Sequence, residues 1–104
     1  MTPNEVKSII LKEIKNNYEL SNNHDVDLNK CLVVPKLHFY NDSIKENTIV
    51  SLWLVLEEDP ITKRGYKIVF NEKTETFGLA IPGQAETDHL IGYYGSFLET
   101  LKAM

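Results

Sequence analysis

Cysteine is nearly missing from this chain of 104 residues: Cys31 stands alone, so no internal disulfide can form. No apolar run behind a basic start suggests a secretory leader, and the cytoplasm is the expected location. Long hydrophobic stretches are absent too, and none approaches the about 20 residues that a membrane-crossing helix requires. Positive charge is in deficit, with 11 Lys and Arg against 15 Asp and Glu and a formal net charge of −4. The basic residues are scattered, which argues against nucleic acid and makes a basic partner easier to accommodate. Glycine is too sparse, at five residues, for a phosphate-cradling loop, and Gly92-Tyr93-Tyr94-Gly95 lacks the lysine that would follow in one. There is no repeat, low-complexity tract or linker. With 42% hydrophobic and 25% charged residues, positions 1–104 read as one ordinary globular domain.

What the chain does have is a dense apolar centre. Ile49 to Leu56 carries seven apolar residues in eight, with the lone tryptophan, Trp53, in the middle, and it stops at Glu57-Glu58-Asp59-Pro60. This is the pattern of a central strand covered on both sides. Val50, Leu52, Leu54 and Leu56 fall on one face, and Ser51, Trp53 and Val55 on the other.

Around it, local signals define the remaining elements. Thr2-Pro3-Asn4-Glu5 is a capping box with proline at the first helical position, and Val6, Ile9, Ile10, Ile14 and Tyr18 continue it as one apolar stripe. Glu19 to Asn29 is polar and reads as a loop. Lys30 to Tyr40 predicts a strand that Pro35 confines to an edge or a bulge, with Val33, Leu37 and Phe39 on one face and His38 and Tyr40 on the other. Tyr66–Phe70 and Thr76–Ile81 alternate as a hairpin. Leu90, Tyr94, Phe97, Leu98 and Leu101 fit a helical stripe, interrupted by Gly92 and Gly95. Ser96-Phe97-Leu98-Glu99 is a second capping box, so either one helix starts near Asp88 or an extended entry precedes a short one. A helix covering at least Tyr94 to Lys102 is the favoured reading. The predicted fold is α+β: an N-terminal helix, a four-stranded antiparallel meander and a C-terminal helix, with both helices on one face. The large residues of the strands would form the face under the helices. The opposite face would be sparser, and Trp53 there would either lie partly exposed in a shallow depression or be covered by another segment, such as the loop Glu19 to Asn29.

Reactive constellations are not evident. Cys31 precedes Leu32 and Val33 and reads as a small core residue. Glu57 and Glu58 are strand neighbours whose side chains diverge, so they form no acid–base pair. His38 has no obvious catalytic partner. His24, Asp25, Asp27 and Asn29 resemble the start of a calcium loop, but Lys30 and Lys36 occupy the glycine and glutamate positions of that template, leaving a solvated loop. No enzyme activity, cofactor or metal is expected. The sharper functional candidates are the three carboxylates Glu57, Glu58 and Asp59 as a surface for a basic ligand, and Trp53 as an aromatic anchor.

Leu52-Trp53-Leu54-Val55-Leu56-Glu57-Glu58, Gly65-Tyr66, Phe77-Gly78-Leu79-Ala80 and the segment Gly92 to Leu101 together resemble small bacterial proteins, some of them similar to the immunity proteins of polymorphic-toxin systems. The resemblance implies a protein that binds and neutralises a cognate toxin, and it carries over no individual residue. Acidity suits an inhibitor of a basic toxin. Two other readings stand beside it: a small acidic homodimer of the secretion-chaperone kind, and a small-molecule binder or enzyme with a pocket between sheet and helices using His38, Tyr40 or Tyr94.

Overall fold

Thr2 and Glu5 cap each other at the start of α1 (Pro3–Lys15): the Glu5 amide donates to Thr2 Oγ1 at 3.2 Å, and the Thr2 amide to Glu5 Oε1 at 3.1 Å. Val6 and Ile10 are buried along the predicted stripe, and Ile9 and Ile14 pack beside them. The computed structural model describes residues 1–15, 31–45, 48–83 and 87–104. Tyr18, the loop Glu19 to Asn29 and its candidate ligands His24, Asp25, Asp27 and Asn29 lie outside the described residues.

Five strands follow: β1 (Leu32–Asp42), β2 (Thr48–Glu57), β3 (Lys67–Asn71), β4 (Thr76–Ile81) and β5 (His89–Gly95). The last element is α2 (Phe97–Ala103). The fold is α+β as expected, but the expected four-stranded meander gains a fifth strand and closes into a barrel. Neighbouring strands pair antiparallel from β1 to β5. An odd number of alternating strands leaves the first and last running the same way, so closure is parallel, through Asn41 opposite His89 and Asp42 opposite Leu90.

β5 occupies much of what the helical stripe had claimed. Leu90 is buried against β4, whereas Ile91 and Tyr94 are exposed at the two places where the register with β4 shifts. Helical structure therefore begins at Phe97, not at Tyr94. Gly95, with φ 102°, makes the turn from strand to helix in a conformation that L side chains avoid. Ser96 then caps α2 as its capping box predicts, its Oγ accepting from the Glu99 amide at 3.1 Å.

The core has two compartments. Tyr40, Leu52, Leu54, Val69, Ala80 and Leu90, drawn from all five strands, fill the barrel. Outside it, Val6 and Ile10 of α1 and Phe97 and Leu101 of α2 cover Trp53, Val55, Leu56, Ile68, Phe70, Phe77 and Leu79. Both helices thus share one layer. The phase of β2 departs from the sequence reading: Trp53 lies opposite Phe70 and Leu54 opposite Val69, so Trp53 and not Leu54 faces the helices. Between Leu54 and Leu56 the register shifts at Val55, and the bulge brings Leu56 into the helix layer as well. Small residues serve the narrow interior. At Gly78, a Cβ would meet the Gly92 carbonyl oxygen at 2.5 Å, so strands β4 and β5 approach there only because no side chain intervenes.

α1 and α2 are also joined directly. The Glu13 carboxylate accepts from the Phe97 amide at 3.1 Å and the Leu98 amide at 3.3 Å, supplying acceptors for donors that a helix start leaves without intrahelical partners.

Candidate functional site

The three carboxylates at the end of β2 have separate local partners. Asp59 Oδ1 accepts from the amides of Ile61 at 3.2 Å and Thr62 at 3.1 Å, and hydrogen bonding by the Thr62 side chain first, then by these amides, holds its carboxyl below the ordinary carboxylate range. Glu58 accepts the Tyr66 amide on Oε1 at 3.0 Å and so fastens the loop across to the start of β3. Glu57 is 5% exposed and receives Lys63 Nζ on Oε1 at 3.3 Å. Its Oε2 is enclosed and has no hydrogen-bond partner among the described residues. The triplet therefore spreads over a turn, a loop clamp and a buried pair. Trp53 is 7% exposed, in the layer beneath the helices, with its Nε1 also lacking a partner among the described residues. Of the two readings for Trp53, partial exposure and cover by another segment, the structure has the covered one, with α1 and α2 packed in the same layer.

The strongest unassigned polar constellation lies next to Glu57. A cavity of about 380 Å³ is lined by His38, Phe39, Tyr40, Leu54, Glu57, Lys63, Lys67 and Asp88. Lys67 Nζ pairs with Asp88 Oδ2, both largely buried. Tyr40 is buried, and desolvation, followed by the charges of Asp88 and Glu57, pushes its phenol far above its usual range, so the group stays protonated and able to donate. His38 and Tyr40 meet as the pocket reading expected, but at the barrel's open side and not between sheet and helices. Tyr94 is not among the lining residues. Among the described residues, no cluster of three or more His, Cys, Asp or Glu side chains is placed to hold a metal ion. No helix among them is long and apolar enough to cross a membrane.

A second surface feature was hidden in the strand pattern. Leu37, Phe39 and Ile49 are 50%, 72% and 65% exposed. Phe39 is opposite Ser51, Leu37 opposite Trp53 and Ile49 opposite Asn41, so all three lie on the same face of the β1–β2 hairpin. Alternation correctly grouped Leu37 with Phe39, but their face runs beyond the helices. Val33 leaves this group and packs against the barrel interior, because the register with β2 is irregular between Leu32 and Lys36, around Pro35. Ile44 and Val34 add exposed apolar surface on the same arm.

Comparison of the chain with protein-family models, curated proteins and solved structures gives no match.

Proposed function

We propose that this chain is a non-catalytic protein-binding module of the immunity kind, which engages a basic partner through the outer face of the β1–β2 arm. One observation carries the reading: Leu37, Phe39 and Ile49 expose large apolar side chains together on one sheet face. Apolar side chains clustered at the surface are the usual mark of an interaction site, and a large aromatic at the centre of such a patch is its natural anchor. Phe39 takes the role expected of Trp53. The net charge of −4 supports a basic partner by raising the rate of encounter, and the half-buried Asp59 contributes to that field. Glu58 is occupied with the loop that follows β2, so the outer-face contact is assigned to the arm before the strand end.

The test is affinity capture from the organism that encodes the chain, at low salt, with wild type and a Phe39→Ser/Ile49→Ser variant checked for folding. Wild type is expected to retain one stoichiometric basic protein, released by added salt, and the variant to lose it. Equal retention by the variant would overturn the assignment. Sedimentation of both proteins covers the remaining outcome, since a concentration-dependent dimer abolished by the variant would give the arm to self-association.

A further inference from the structure

The edge of β1 turned away from β2 has a defined hydrogen-bonding phase. The Asn41 amide donates to the Asp88 carbonyl at 2.9 Å and the Ser43 amide to the Leu90 carbonyl at 3.1 Å, so these odd-numbered residues point their backbone toward β5. From Lys36 onward the pairing with β2 is regular. Alternation therefore sends the amides of Leu37 and Phe39 to the same side. There the parallel pairing with β5 has already ended at Asn41, and these amides have no backbone partner among the described residues. Lys36 to Phe39 are exposed in succession, as an edge requires. Pro35, just before them, has no amide hydrogen to leave unpaired.

The cavity runs along this edge. His38, Phe39 and Tyr40 all line it, and three consecutive strand residues can border one space only beside the backbone, because their side chains alternate between faces. A neighbouring hollow of about 390 Å³ continues past Val33, Val34 and Lys36 and shares His38, Leu54, Glu57 and Lys63 with the first. Glu57, which lines both hollows, keeps Oε2 without a hydrogen-bond partner among the described residues, Lys67 is engaged by Asp88, and Lys63, the partner of Oε1, has a mostly exposed side chain that can yield its place.

We infer that this groove seats one extended segment of the partner, which adds as a strand beside Leu37–Phe39 and directs an arginine onto Glu57. The inference rests on the protein-binding reading and deepens it. Main-chain bonds to these two amides, which have no backbone partner among the described residues, hold the segment, and the side chain that enters the cavity selects it. Arginine fits the deficit because it brings several donors in a planar fork matched to a carboxylate, and its charge complements an acidic protein.

The probe is an acetylated, amidated heptapeptide, Thr-Val-Thr-Arg-Thr-Val-Thr, titrated into the ¹⁵N-labelled full chain and followed by NMR. The amide signals of Leu37 and Phe39 are expected to shift, and their exchange with solvent to slow. Replacing the peptide's arginine with glutamine is expected to weaken binding about tenfold, the scale of one charge-assisted contact. Glu57→Gln should remove that difference between the two peptides. A peptide N-methylated at alternate residues, which leaves the protein untouched, should not bind. Absence of shifts at Leu37 and Phe39 at millimolar peptide, or equal binding of the N-methylated peptide, overturns the strand seat. Ile49→Ser should bind the peptide as wild type does, so loss of partner capture by the arm variant alongside a silent peptide titration would leave the proposed function standing and remove only this seat.

Discussion

In the β3–β4 hairpin, Ile68, Phe70, Phe77 and Leu79 face the helices while Val69 and Ala80 face the barrel interior, and every one of them is buried. The β1–β2 arm is comparably apolar, yet Leu37, Phe39 and Ile49 stand in solvent. Composition does not separate the two hairpins. What separates them is supply of partners: the short β3–β4 pair lies wholly within the span of the helices and of β5, whereas the longer arm extends past both. A strand's hydrophobicity thus tells how much surface it wants covered, and the length of its neighbours tells whether that happens within the chain.

The comparison breaks most sharply through one aromatic on each hairpin. Phe77, whose ring centroid lies 4.6 Å from Phe70 and 5.7 Å from Phe97, should cost about 3–5 kcal/mol on replacement by alanine, read as a lower urea midpoint. Phe39→Ala should remain within about 0.5 kcal/mol of wild type in the same assay. A large loss at Phe39 would mean that the arm is covered after all. Next in size, Gly78→Ala should destabilise by about 1–3 kcal/mol, since the new methyl must displace the Gly92 carbonyl at 2.5 Å and press on Leu90 and Tyr93, each at 3.1 Å. Glu13→Ala should cost about 1 kcal/mol by removing the acceptor from two amides of α2, and hydrogen exchange at Phe97 and Leu98 should accelerate. The smallest effect is one of pH. Asp59 has its pKa lowered in the folded state, so its contribution is present above the unfolded value of about 3.9 and is lost as pH falls through the lower folded value. Asp59→Asn should flatten that part of the acid-unfolding curve, and an unaltered curve would count against the turn.

Local chemistry was legible and long-range closure was not. The capping box at Thr2-Glu5 forms as written, and Ser96 accepts the Glu99 amide as its own motif asks, because every atom involved lies within one turn. The extents of β2 and β4 also follow the pattern, Thr48–Glu57 around the apolar run Ile49 to Leu56 and Thr76–Ile81 as read. β5 was legible only as the less favoured alternative of an extended entry before a short helix near Ser96, since Leu90, Tyr94 and Phe97 also satisfy a helical spacing and only pairing with Gly78, Leu79 and Ala80 selects the extended form. The bulge at Val55 has no residue signature, so the sheet faces were assigned out of phase, with Trp53 placed outside and Leu54 under the helices. At the candidate sites, the carboxylates of Glu57, Glu58 and Asp59 were visible as a run, but their division among three partners depends on the path of the following loop. Phe39 followed the pattern of a core strand, and nothing in residues 37–39 reports how far the helices extend.

The Glu13 clasp on α2 joins positions 84 and 85 residues apart in the chain. Its consequence concerns the order of assembly. Val6 and Ile10 find their cover only together with Phe97 and Leu101, and β1 finds its parallel neighbour only when His89 and Leu90 are present. On the ribosome α1 must therefore wait for α2, and until β5 emerges the growing chain can form hairpins but no closed barrel. Contacts this distant charge their loop-closure cost before returning any stability, which places this small protein among the slower folders for its size.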